Sequence, residues 1–166
     1  MQGVLVTVEK GYVYYVATDG HKFLALRHEL AESDEATEDF SIIISTETLK
    51  TLAAAKIRQD EVILEAYQDG KYTLATIIFA PIDGTFPDWR GVTPKEISRE
   101  MAFINPQHTM CFTQAAKALG VKETPIRIIP NGDGPAIVNL GGDIDGYGLV
   151  MPFEGLDFEL PSWAHN

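Results

Sequence analysis

Twice along this chain a short apolar run is followed by a capped helical stretch and then by three runs with strand character, and nothing else in it restricts the fold as much. In the first unit, residues 40–45 form an apolar run short enough to be a buried strand, and Ser45 or Thr46 can cap the helical stretch after it. There Leu49, Leu52, Ala53 and Ile57 recur at helical spacing around Ala54. Residues 61–67, 72–78 and 79–82 are then expected as strands, with Asp69-Gly70 supplying hairpin chemistry between the first two. The second unit repeats the order: residues 101–104 as a short strand, Asn105 as cap, and Pro106 at the favoured first helical position. Its helix presents Cys111, Phe112, Ala115, Ala118 and Leu119 on one face and ends at Gly120, before strands at residues 125–129, 136–140 and 147–153. Ahead of both units, residues 4–8 and 12–17 alternate in strand fashion about Lys10-Gly11, which reads as a hairpin, and residues 22–27 add a third strand. A repeated order with little residue identity between the halves implies an internal duplication and a sheet-rich α+β fold with one helix per repeat.

Composition narrows the function classes. With 166 residues, 45% of them hydrophobic, the chain can build a real core. Its apolar runs fall short of the roughly 20 residues a membrane-spanning helix needs, and its first residues lack the pattern of a signal peptide, so a cytoplasmic location is expected. The single cysteine, Cys111, has no Cys or His at metal-like spacing, which disfavours a disulfide scaffold or a zinc module and places it on a helix packing face. No cofactor or metal is expected. A net charge of −11 argues against a chain that coats itself in nucleic acid. Six of the acids (Glu29, Glu32, Asp34, Glu35, Glu38, Asp39) fall in one stretch that reads as a solvated loop, so a basic face elsewhere stays open. Phosphate loops, nucleophile elbows and zinc-helix motifs are absent, and Gly132-Asp133-Gly134 and Gly141-Gly142 read as hairpin turns. Asp19, His21 and Asp88 could be imagined as an acid-base or metal cluster, Asp19 and His21 sharing a strand face, but no further ligand or nucleophile accompanies them. A protein that is not an enzyme is the expectation.

Three segments carry a resemblance. Val16-Ala17-Thr18-Asp19-Gly20-His21-Lys22 resembles the ATDGHR-type segment in the middle domain of the bacterial DNA polymerase III β subunit, the sliding clamp, with Lys in place of the usual Arg. Asp83-Gly84-Thr85-Phe86-Pro87-Asp88-Trp89-Arg90 is similar to that family's DGRFPDYR stretch, and Leu149-Val150-Met151-Pro152-Phe153 looks like its closing VVMPM-type segment. The resemblance implies a DNA-clamp-like α+β fold: a single clamp-like domain over residues 1–153, of which 1–94 correspond to most of the clamp middle domain and 95–153 to the second half of the last domain. Residues 154–166 form a tail. In the family the three segments meet around a hydrophobic cleft that captures clamp-binding motifs of DNA polymerases and repair proteins. Carried over position by position, that cleft would be built from Thr18, Gly20, His21, Lys22, Pro87, Val92, Met151, Pro152 and Phe153. Met and Phe give adaptable apolar walls, Gly admits a peptide backbone, and Pro adds no donor at the rim. Gly91 stands where the family often has a basic residue. Read without the resemblance, Asp19-Gly20 is a turn, and Phe86-Pro87 and Met151-Pro152 are strand ends.

The resemblance also implies sequence-independent contact with duplex DNA through helix cations, for which the candidates are Lys50, Lys56, Arg58, Lys117 and Lys122. Lys50 and Lys56 fall on different helix faces, so ordinary solvated lysines are the competing reading. The tail's Gly155-Leu156-Asp157-Phe158 echoes client motifs and would fold over the cleft, or else simply cover a sheet edge. The expected function is thus a clamp-like replication or repair accessory, working as a homo-oligomer; the alternative is a non-ring module competing with the host clamp for clients, and a third reading is a small metal-dependent enzyme.

Overall fold

The computed structural model describes residues 3–30, 39–55, 62–122 and 126–153. Its elements in chain order are β1 (Gly3–Glu9), β2 (Tyr12–Thr18), β3 (Lys22–Glu29), β4 (Phe40–Ser45), α1 (Thr46–Ala54), β5 (Leu64–Ala66), β6 (Tyr72–Leu74), β7 (Ile77–Phe79), α2 (Pro106–Ala118), β8 (Arg127–Ile129), β9 (Ala136–Asn139) and β10 (Gly146–Val150). Seven strands form one sheet in the order β4-β1-β2-β3-β10-β9-β8, and β5, β6 and β7 form a second. Every pairing is antiparallel. The hairpin of β1 and β2 turns at Lys10 (φ 52°) and Gly11 (φ 80°), the two successive left-handed residues of a tight turn whose twist matches the strands.

Alternation along the strands sorts the core into layers. On one face, Leu5, Val16, Phe23, Ala25, Ile43 and Leu149 are buried together under Ile82, Phe86 and Trp89. The opposite face carries both helices over two separate cores. Leu49 and Leu52 of α1 pack on the cluster of Val6, Val8, Val13, Ile42 and Ile44, which Leu74 and Phe79 of the small sheet complete. Phe112 and Ala116 of α2 are buried with Val138, Leu140 and Val150, against Leu24 and Leu26. Fully burying side chains of this size stabilises by roughly 1.5–3 kcal/mol each. The two helices therefore stand on β4 and β1 at one side and on β3, β10 and β9 at the other. Ser45 starts α1 by accepting the Thr48 backbone N–H, and Asn105 starts α2 by accepting that of Gln107. Such caps contribute about 1 kcal/mol each.

The structure corrects the sequence reading in places. Residues 101–104 are not a strand: only Phe103 pairs, with Phe153, and Met101 is 91% exposed. The stretch 72–78 is two strands, because Ala75 takes a left-handed conformation (φ 54°) and turns the chain into a second hairpin. Residues 80–82 leave that sheet, and the Ile82 N–H instead donates to the Ile43 carbonyl at 2.8 Å. The second helix buries Phe112 and Ala116, whereas Ala118 and Leu119 are exposed. The three strands after α1 form their own sheet, while those after α2 extend the large one, so equal element order yields unequal placement. Ile57 and residues 154–166, expected on a helix face and as a tail, lie outside the described residues.

Candidate functional site

Thr18 ends β2 and Lys22 begins β3, and the turn between them is closed by its own side chains. Asp19 Oδ1 accepts the backbone N–H groups of His21 and Lys22, both at 3.0 Å, and its other oxygen pairs with the Lys22 ammonium. Thr18 Oγ1 donates to the Lys22 carbonyl and accepts the Gly20 N–H, with Gly20 at φ 90°, a conformation open to glycine at little cost. Partial burial alone would push the Asp19 carboxyl up, but the ammonium and the two backbone N–H groups outweigh it and bring it down from 3.8 to about 2. A carboxyl held low in the folded state stabilises it above its ordinary range, and that contribution fades as the pH falls through about 2. Both partners are well exposed, so the effect is screened and small. Asp19→Asn is accordingly expected to match the parent's melting temperature near pH 2 and to fall slightly below it above pH 4, as read by thermal melts across that range.

The third segment comes to this turn through the sheet. β10 pairs with β3 so that Val150 faces Lys22 and Leu149 faces Phe23, and the Met151 N–H donates to the His21 carbonyl at 2.9 Å. Phe153 N–H continues onto the Phe103 carbonyl at 2.7 Å. The result is an exposed apolar edge, with Met151, Phe153 and Phe103 presenting 43%, 67% and 51% of their surface. His21 stacks on His108 of α2, ring centroids 5.3 Å apart, and anchors the turn to the helix.

The second segment lies across the face opposite the helices. From Ile82 beside β4 it passes over β1, where Arg90 forms an ion pair with Glu9 at 2.8 Å. Trp89 then reaches Tyr14 on β2 and Phe23 on β3, at 5.8 and 6.3 Å between centroids, with the Arg90 guanidinium 4.1 Å above the indole. Thr93 donates to the Trp89 carbonyl and accepts the Tyr147 hydroxyl of β10, 2.6 Å away. Residues 82–93 thus strap four neighbouring strands and β10.

Thr18, Gly20, His21, Lys22, Met151, Pro152 and Phe153 are brought together at one edge. Val92, 49% exposed, sits one residue before Thr93, on the part of the strap that reaches β3 and β10. Pro87 stands apart: it lines a hollow of about 750 Å³ with Leu5, Thr7 and Ile43, over β1 and β4. Gly91 gives its N–H to Asp88, closing a turn in the strap. Sequence reasoning missed Phe23, Trp89 and Tyr147, whose aromatic contacts fix the strap; a strand residue two places after His21 and a lone Trp inside the second segment were the available signals. The imagined cluster of Asp19, His21 and Asp88 does not form. Asp19 is consumed by its own turn, which is not strand, Asp88 turns the strap at Gly91, and among the described residues no group of three or more His, Cys, Asp or Glu could hold a metal ion.

Of the candidate DNA contacts, Lys50 lies exposed on α1, Lys117 exposed on α2 and Lys122 just beyond it; Lys56 and Arg58 lie outside the described residues. No described helix is long and apolar enough to cross a membrane.

Comparison with solved structures finds the architecture of this chain, a large sheet with two helices on one face, among DNA sliding clamps. The chain has the sliding-clamp fold of bacterial DNA polymerase III β subunits. It superposes on the Pseudomonas aeruginosa sliding clamp bound to griselimycin with a TM-score of 0.67 at 19% identity, over 92% of this chain and 57% of that one. The Thermotoga maritima β subunit gives 0.66 at 17% identity (93% and 58%) and the Bacillus subtilis clamp 0.65 at 12% (93% and 57%). The match thus spans less than three fifths of those chains. No family model and no curated protein matches the sequence.

Proposed function

We propose that this protein is a non-catalytic, clamp-like accessory of DNA replication or repair that captures short linear motifs of polymerases or repair proteins. The capture surface is the edge formed by Thr18, Gly20, His21, Lys22, Val92, Met151, Pro152 and Phe153. The observation that carries this reading is the pairing of β3 with β10. It sets two segments far apart in the sequence side by side and leaves Met151 and Phe153 exposed rather than sealed in the core. Exposed Met is suited to this task, since its flexible thioether adapts to the side chain it receives. Contact with duplex DNA would fall to the helix face, where Lys50, Lys117 and Lys122 offer few cations, so it would be loose and independent of sequence. Self-association through the edge strands β4 and β8 belongs to the same reading.

The test is titration of the full chain into a fluorescein-labelled linear peptide bearing Leu and Phe anchors, followed by anisotropy. Saturable binding is expected, with Met151→Ala weakening it by about tenfold, since truncating an anchor contact typically costs over 1 kcal/mol. Absence of binding, or affinity indifferent to Met151→Ala and to Val92→Asp, would overturn the assignment.

A further inference from the structure

On the helix-bearing face, the row of Val4, Ala17 and Leu24 lies between the two helices. The residues of α1 that enter the core, Leu49 and Leu52, pack on the cluster of β4, β1 and Val13 at the far end of β2, and those of α2, Phe112 and Ala116, lie over β3, β10 and β9. Between them runs a groove of about 470 Å³. Its floor is one cross-strand row: Val4, Ala17 and Leu24 are successive partners in the register, so their side chains lie side by side on β1, β2 and β3. Thr46 and Lys50 of α1 form one wall, Cys111 and Phe112 of α2 the other.

Size and charge select the occupant. A volume near 470 Å³ falls within the range of about 300–1,000 Å³ typical of small-molecule sites. One turn of helix, a cylinder ~10 Å across and 5.4 Å long, fills ~420 Å³, so a docked helix would find room for a single turn only. The ionisable groups facing the groove are Asp19, Lys22, Lys50 and Cys111. Asp19 and Lys22 neutralise each other as an ion pair, and burial pushes the Cys111 thiol up, which keeps it neutral. Lys50 makes no ion pair among the described residues, and Glu47, three places earlier on α1, does not line the groove. Among the described residues, the groove therefore holds one positive charge without a paired acid, above an apolar floor. Thr46, four residues before Lys50, puts a hydroxyl on the same side of α1.

We infer that this groove binds a small single-chain amphiphile with one negative charge, an alkyl carboxylate, whose chain lies over Val4, Ala17 and Leu24 and whose head meets Lys50. The floor lies on the face away from the strap, but one end of the groove shares Thr18 and Lys22 with the peptide-binding edge, so Lys50 and Ala17, which belong to the groove alone, are the positions that separate the two.

Sodium decanoate, below its micellar concentration, is the probe, added to the isotopically labelled full chain and followed by methyl chemical shifts. Saturable one-to-one binding is expected, with the largest shifts at Val4, Ala17 and Leu24. Lys50→Gln, at an exposed position, is expected to weaken decanoate about tenfold while leaving methyl decanoate unchanged, as the loss of a charge-assisted contact of about 1.5 kcal/mol would do. Ala17→Leu, which fills the floor, is expected to abolish both, with its melting temperature checked alongside. The inference is overturned if decanoate does not saturate, if the shifts map elsewhere, or if Lys50→Gln weakens acid and ester alike.

Discussion

Replacing Phe112 with alanine is expected to lower the free energy of unfolding by about 3–5 kcal/mol, the range for truncating a fully buried aromatic side chain. For a chain of this length that corresponds to a melting temperature lower by about 6–20 °C. The ring is 1% exposed and sits at the centre of the core beneath α2, with Val138, Leu140 and Val150 around it. It lies so close to β10 that a methyl group at Gly148 would collide with it, so the glycine makes the space the ring occupies. The resulting void would be bounded by Val138, Leu140 and Val150 and by β10 at Gly148, on strands whose ladder pairing resists inward collapse. Calorimetry and urea titration would measure the loss. A change under about 1 kcal/mol would mean that α2 is not seated as described. At temperatures where the variant stays folded its peptide affinity should match the parent's, because Phe112 lies on the face away from the strap.

Trp89→Ala is expected to act on both stability and binding. The indole is half-buried, so the stability loss should fall below that of Phe112, at about 2–3 kcal/mol. Its contacts are with Tyr14 and Phe23 beneath and the Arg90 guanidinium above, the last contributing about 0.5–1 kcal/mol at an exposed site. Without the ring, the side chains of residues 90–93 are held to the sheet by the Arg90 ion pair with Glu9, the Arg90 guanidinium over Tyr14 and the Thr93 contact with Tyr147. Val92 would then lose its fixed place, and peptide affinity is expected to drop more than tenfold even where the sheet remains intact. Anisotropy alongside circular dichroism separates the two effects. An unchanged affinity would show that the strap does not shape the capture edge. The contrast between Phe112→Ala, with stability lost and binding kept, and Trp89→Ala, with binding lost beyond its stability cost, is what distinguishes a surface supported by the strap from one supported by the whole core.

Local chemistry was legible in the sequence where it decides structure within a few residues. Lys10-Gly11 turns a hairpin because two left-handed residues are needed in succession, and Ser45 and Asn105 start helices because their oxygens reach the first free N–H groups. Asp19 closes its turn for a similar reason. The expectations that failed share a cause as well. Residues 101–104 form a short apolar run like a buried strand, yet only Phe103 finds a partner. A break at Ala75 has no Gly or Asn to announce it, since the left-handed conformation there is imposed by the two strands it joins.

The candidate site divides along the same line. Read from their residues alone, Thr18 to Lys22 and Met151 to Phe153 are a turn and a strand end, and only their likeness to clamp segments grouped them as a capture surface. Pro87 was grouped with them for the same reason, although it stands over β1 and β4. What the amino-acid order alone determined is the first three strands with their hairpin, the two capped helix starts and the turn at Asp19, because each depends on torsions and hydrogen bonds between near neighbours. Only the tertiary structure decided which strands adjoin, that both helices share one face with a groove between them, and that Trp89 pins the strap. These depend on contacts between residues far apart in sequence, where burying one apolar surface against another outweighs local preference.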